Sequence, residues 1–153
     1  MRDCGTYNTI VLARIVGIDY GRKRVGVAVT DPLQIVAQGL TTIHAAKIID
    51  FLKDYFEKEA VECVVVGYPR QMNNAPSDSA RFVDEFLNRM KKVFPSMPVT
   101  LVDERFTSKI AMKAMIDGGV KKKDRMNKEL VDMVSASIIL QSYMESLSSG
   151  KYL

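Results

Sequence analysis

The chain has 153 residues, 47% hydrophobic and 26% charged, which suits one globular domain with a sizeable core rather than two domains or a disordered chain. Lys and Arg total 22 against 18 Asp and Glu, and the resulting charge of +4 admits a polyanionic partner without requiring one. No apolar run reaches membrane-spanning length, so no signal peptide or anchor is expected. Cys4 and Cys63 lack the spacing of a disulfide pair or metal knuckle, which fits a reducing cytoplasm.

In chain order, Ile15, Val16 and Ile18 predict a buried strand, Gly21 a reversal, and Val25, Val27 and Val29 a second strand returning antiparallel. Gln34 to Ile43 can form a third strand. Ala45, Ile48, Ile49, Leu52 and Phe56 fall at helical spacing between His44 and Glu59. Cys63 to Gly67 reads as a strand buried on both faces, ended by Tyr68 and Pro69. The polar stretch Arg70 to Ser79 is the longest loop signal, and Phe82, Phe86, Met90 and Val93 mark the next helix. Val99 to Val102 is a further strand. Thr107 or Ser108 can cap a helix over Ile110 to Ile116, stopped by Gly118 and Gly119, and a last helix follows Asn127.

Three places put carboxylates where apolar elements end. Asp19 stands where the first strand breaks into the Gly-rich turn; an unpaired charge there would cost several kcal/mol, so it needs a metal, a base or hydrogen-bond donors. The plainer reading is a turn aspartate serving Gly21 or Arg22. Asp103 and Glu104 follow an apolar strand and would point to opposite sides if it continued through them, so one of the two faces the Asp19 site. Asp132 shares a helical stripe with Ala136, Ile139 and Tyr143, a poor place for an aspartate without a partner; its plainer reading is a first-turn acid favoured by the helix dipole. Together these acids can gather Mg²⁺ or Mn²⁺ with hard oxygen ligands. No His or Cys set competes, and His44, the only histidine, begins a helix.

Asp19-x-Gly21-x-x-Arg24-x-Gly26-x-Ala28, Val65 to Pro69 with Met72, Asp103-Glu-Arg-Phe-Thr107, and Lys128-x-x-x-Asp132-x-x-x-Ala136 followed by Ile139 to Tyr143 resemble four successive motifs. They are those of the YqgF-like (RuvX) family, nucleases assigned to 5′-end processing of pre-16S rRNA and also described as Holliday-junction-resolvase-like. The resemblance runs from about Arg14 to Tyr143. It implies an α/β, ribonuclease H-like fold, also that of RuvC resolvases: a five-stranded mixed sheet of order 3-2-1-4-5 with helices on both faces. Residues 14–147 would form the single domain, with 1–13 an N-terminal extension and 148–153 a C-terminal tail. Tyr68 replaces a usual aliphatic residue and Asn73-Asn74-Ala75 a more Gly-rich stretch. No acid follows the fourth strand as in RuvC; Glu104 or Asp103 would have to substitute from a strand about 10 Å from the first.

The reading is thus a divalent-metal-dependent phosphodiesterase acting on structured RNA. Asp19, Glu104 and Asp132 would be catalytic metal ligands, with Asp103 the substitute for Glu104. Arg24 and Arg105 could neutralise the scissile phosphate, and Lys121, Lys122, Lys123, Arg125 and Lys128 could hold flanking phosphates. In isolation that basic run reads as a solvated loop. The partner would be pre-16S rRNA, on or off the ribosomal particle, and the protein a monomer or homodimer without membrane association. Alternatives are a Holliday-junction resolvase acting on branched DNA, which requires a dimer, and a non-catalytic nucleic-acid-binding factor in ribosome assembly or transcription, which would tolerate loss of the acids.

Overall fold

Alternating β-branched and small residues build the first hairpin: β1 (Arg14–Tyr20) and β2 (Arg24–Thr30) pair antiparallel, with Val16 opposite Val29 and Asp19 opposite Gly26. The Gly21 N–H donates to the Arg24 carbonyl at 2.9 Å and closes the turn. The structure is a computed structural model and describes residues 12–69, 80–103 and 107–148. The expected loop Arg70 to Ser79, Glu104, Arg105 and nearly all of the N-terminal extension and C-terminal tail lie outside the described residues.

β3 is Ala37–His44, so the third strand begins at Ala37 and not at Gln34 as the sequence suggested. The cause is local. The Asp31 carboxylate accepts the N–H groups of Leu33, Ile35 and Val36, and Gln34 takes a φ of 57°, which winds this stretch around the acid instead of extending it. The next helix also starts differently from expectation. His44 Nδ1 accepts the Ala46 N–H and caps a 3₁₀ turn, Ala45–Lys47, before α1 (Ile48–Lys58).

β4 (Val61–Tyr68), α2 (Ala80–Val93), β5 (Val99–Asp103), α3 (Thr107–Asp117), α4 (Lys122–Arg125) and α5 (Lys128–Ser148) complete the chain. α3 ends at the expected glycines, where Gly119 adopts a φ of 78° and the Val120 N–H returns to the Met115 carbonyl. The basic run is a corrected expectation: it is not a loop throughout but contains the single helical turn α4.

The sheet order is β3-β2-β1-β4-β5, with β4 parallel to both β1 and β5. On one face Val16, Ile18, Val64 and Val66 pack against Ile48, Leu52, Val83, Phe86 and Met90 of α1 and α2. On the other, Ile15, Ala28, Val65 and Val102 pack against Ala136, Ile139 and Leu140 of α5. No described helix is long and apolar enough to cross a membrane.

α5 crosses the sheet obliquely. Near its start the Thr42 hydroxyl of β3 donates to the Glu129 carbonyl at 2.6 Å, and near its end Tyr143 is hydrogen-bonded with Cys63 of β4 and Thr100 of β5. Glycines line the crossing. A β-carbon at Gly17 would lie 2.8 Å from Leu140 Cβ and 3.1 Å from the Ala136 carbonyl, and one at Gly26 would collide with the Asp132 carbonyl. Cys63 is buried and free, and burial pushes its thiol pKa up.

Candidate functional site

Cross-strand pairing decides which way Asp19 points. Asp19 is directly opposite Gly26, and residues directly opposite in an antiparallel pair project to the same face. At Gly26 that direction meets the backbone of Asp132 and Met133. Gly17, two residues before Asp19, likewise faces Ala136 and Leu140. Asp19 therefore leaves the sheet on the α5 side, beside the turn that carries Asp132.

Asp132 has the partner that its apolar stripe demanded. The Arg24 Nε donates to Asp132 Oδ2 at 2.8 Å, with side-chain exposures of 38% and 22%. Arg24 and Gly26 are two apart on β2, so the guanidinium rises from the same sheet face. At this exposure the pair contributes about 0.2–1 kcal/mol. The Asn127 side chain caps α5 by accepting the N–H groups of Glu129 and Leu130. Asp132 is the fifth residue of α5, beyond the first turn, where a helix-dipole explanation weakens.

A divalent ion suits this donor set. The two carboxylates are hard oxygen donors on one face, a cation is already drawn to one of them, and Gly26 lets the Asp132 turn of α5 seat directly on the strand beside Asp19. Mg²⁺ is commonly held by only one or two carboxylates plus water and phosphate oxygens. Among the described residues, no three His, Cys, Asp or Glu side chains gather closely enough to hold an ion.

The structure does not bring Asp103 to this face. Val102 packs on the α5 side, so Asp103, the next residue, projects from the other face, as does its β4 neighbour Tyr68. Glu104 and Arg105 lie outside the described residues. Of the basic run, Lys121, Lys122, Lys123 and Lys128 are exposed, whereas Arg125 is half-buried and donates to the Val120 carbonyl at 3.0 Å. Lys128 precedes Asp132 by one helical turn, about 6 Å of rise.

Two further arginines near the hairpin, Arg22 of the turn and Arg81 of α2, share one aromatic ring. The guanidinium of Arg22 lies 5.5 Å, and that of Arg81 5.0 Å, from the centre of the Phe82 ring. The basic turn after Asp19 was visible, but its pairing with α2 crosses about sixty residues and had no local signal. Tyr68, the unusual residue that ends β4, donates its hydroxyl to the Asp84 carboxylate at 3.1 Å and ties that strand end to α2.

A family described as "RuvX: Holliday junction resolvase" matches residues 13–146. A protein of Phocaeicola vulgatus named "Putative pre-16S rRNA nuclease" is 58% identical over 135 residues, 88% of this chain and 97% of that protein. One of Flavobacterium johnsoniae with the same name is 55% identical over 135 residues, 88% of this chain and 98% of that protein. Among solved structures, T. thermophilus RuvC in complex with Holliday junction substrate superposes with a TM-score of 0.54 at 19% identity, covering 91% of this chain and 97% of that one. The RuvC likeness establishes the ribonuclease H-like fold with strand order 3-2-1-4-5. The family match runs from the start of β1 into the last turn of α5, through every strand and helix between, and the chain belongs to the RuvX family.

Proposed function

We propose that this chain is a cytoplasmic nuclease that hydrolyses phosphodiester bonds at the 5′ end of pre-16S rRNA, with Mg²⁺ or Mn²⁺ as cofactor. The observation that supports the reading is that Asp19 projects to the sheet face on which the backbone of Asp132 rests against Gly26, the cross-strand neighbour of Asp19. Relatives sharing more than half of their residues with this chain bear a pre-16S rRNA nuclease name, which supports the choice of substrate.

Asp19 and Asp132 would hold the metal, with Glu104 completing the ligand set. Strand alternation favours Glu104 over Asp103, because Asp103 projects from the opposite face. When bound, divalent ions supply an activated water and a Lewis acid for the leaving oxygen. The protein's own part is to fix the two carboxylates, to bring Arg24 and Arg105 to the scissile phosphate, and to hold flanking phosphates on Lys121, Lys122, Lys123, Arg125 and Lys128. Cleavage and binding of an rRNA precursor by Asp19→Asn test the assignment. The expected result is loss of hydrolysis with binding retained, since a metal ligand goes while the basic surface stays. Retained Mg²⁺-dependent cleavage would overturn it. The same assay on a four-way DNA junction separates this reading from resolvase activity, the activity in the family's description.

A further inference from the structure

We propose that Arg24 is an exchangeable counter-ion: its guanidinium holds the Asp132 carboxylate when no divalent ion is bound, and passes to a substrate phosphate when one binds. The proposal rests on the nuclease reading above and adds a coupling between metal and substrate at that site.

The two partners differ in freedom. Asp132 is held on α5, whose backbone at that residue lies against Gly26 and whose start is tied to β3 through Thr42 and Glu129. Arg24 is fixed only through its backbone, opposite His44 of β3, and carries a long side chain that is 38% exposed. The carboxylate cannot leave, but the guanidinium has an open route to solvent. A divalent ion carries twice the charge of a guanidinium and approaches a carboxylate oxygen at about 2.1 Å, closer than the 2.8 Å of the present contact. The ion therefore wins the oxygen. The displaced guanidinium remains tethered a few ångströms away, and the next anion to arrive is the phosphodiester. Because Arg24 serves one anion at a time, metal strengthens phosphate binding, and phosphate strengthens metal binding by the same factor.

A fixed Arg24 makes the opposite prediction. If it stays on Asp132 and orients the carboxylate toward the metal, its removal weakens metal affinity. Mn²⁺ binding to the full chain, followed by electron paramagnetic resonance without nucleic acid, separates the two. Exchange predicts that Arg24→Gln binds Mn²⁺ about 2- to 5-fold more tightly, because the competing ion pair is gone. It also predicts that the Arg24 Nε–H resonance of the unmodified protein leaves its ion-paired position as Mg²⁺ is added, a readout that needs no variant to fold. Weaker Mn²⁺ binding by Arg24→Gln, or an Nε–H signal unmoved at saturating Mg²⁺, overturns exchange and leaves the nuclease reading standing. Mn²⁺ affinity unchanged in Asp132→Asn removes the metal site itself, and both readings with it.

Discussion

The Asp132 carbonyl of α5 rests on the bare α-carbon of Gly26, so the helix that carries one proposed ligand is seated against the direct neighbour of the other, Asp19. Gly26→Ala would place a methyl group against backbone rather than against a side chain that could swing away. A loss of about 1–3 kcal/mol is expected, with a midpoint several degrees lower in thermal unfolding, and Mn²⁺ affinity should fall even in the folded fraction. Gly39→Ala is the control: its β-carbon would sit 3.4 Å from Met133 Cβ, an ordinary contact, and the same scan should show little change.

Strand alternation makes unequal predictions for two adjacent acids. Glu104→Gln should lower kcat by about 100-fold or more, the scale seen when a group stabilising the transition state is lost. Asp103→Asn should leave kcat within a few fold, because Asp103 lies on the face away from Asp132. Single-turnover rates on an rRNA precursor measure both, and a reversed order would transfer the ligand role to Asp103.

Substituting Lys121, Lys122 and Lys123 together by Gln should weaken binding across RNA sequences. The slope of log K against log salt should shrink by roughly 2 for a single strand, at about 0.7 per phosphate contact. Arg125→Gln should do less to the slope and more to folding, because its guanidinium already serves the Val120 carbonyl. Turnover at saturating RNA should hardly change. Titrations at several salt concentrations check this, and an unaltered slope takes the run out of the substrate path.

Asp31 is expected to contribute to an acid limb of stability. Backbone N–H groups, that of Val36 foremost and then those of Ile35 and Leu33, hold its pKa below the ordinary 3.8. A depressed folded pKa contributes stability that is present above the unfolded value and is lost as pH falls through the folded one. Denaturant unfolding between pH 5 and pH 2 should therefore show a shallower loss in Asp31→Asn than in the parent chain. Parallel curves would deny the carboxylate this role.

Short-range order was legible in the sequence. Alternating valines with Gly21 specify the hairpin, Asn127 specifies the start of α5, and Gly118 with Gly119 the end of α3, because each signal acts within a few residues. Strand order entered through family resemblance, since periodicity cannot say which strands are neighbours. The start of β3 was misjudged because one carboxylate, Asp31, outweighs the β-propensity of Ile35 and Val36. The partner of Asp132 was invisible for a different reason. Arg24 lies 108 residues away, and only the oblique crossing of α5 over β2 brings the two together.

That crossing also makes α5 a lever. Its two ends are anchored, at Thr42 of one edge strand and at Tyr143 against Cys63 and Thr100 toward the other edge, while Asp132 rides between them near the first anchor. The basic turn α4 joins the same rod through only Met126 and Asn127. If the lysines hold phosphates as proposed, a pull on them would load this stiff member one turn before the carboxylate of Asp132. Grip on the substrate and alignment of the acid would then be a single mechanical event.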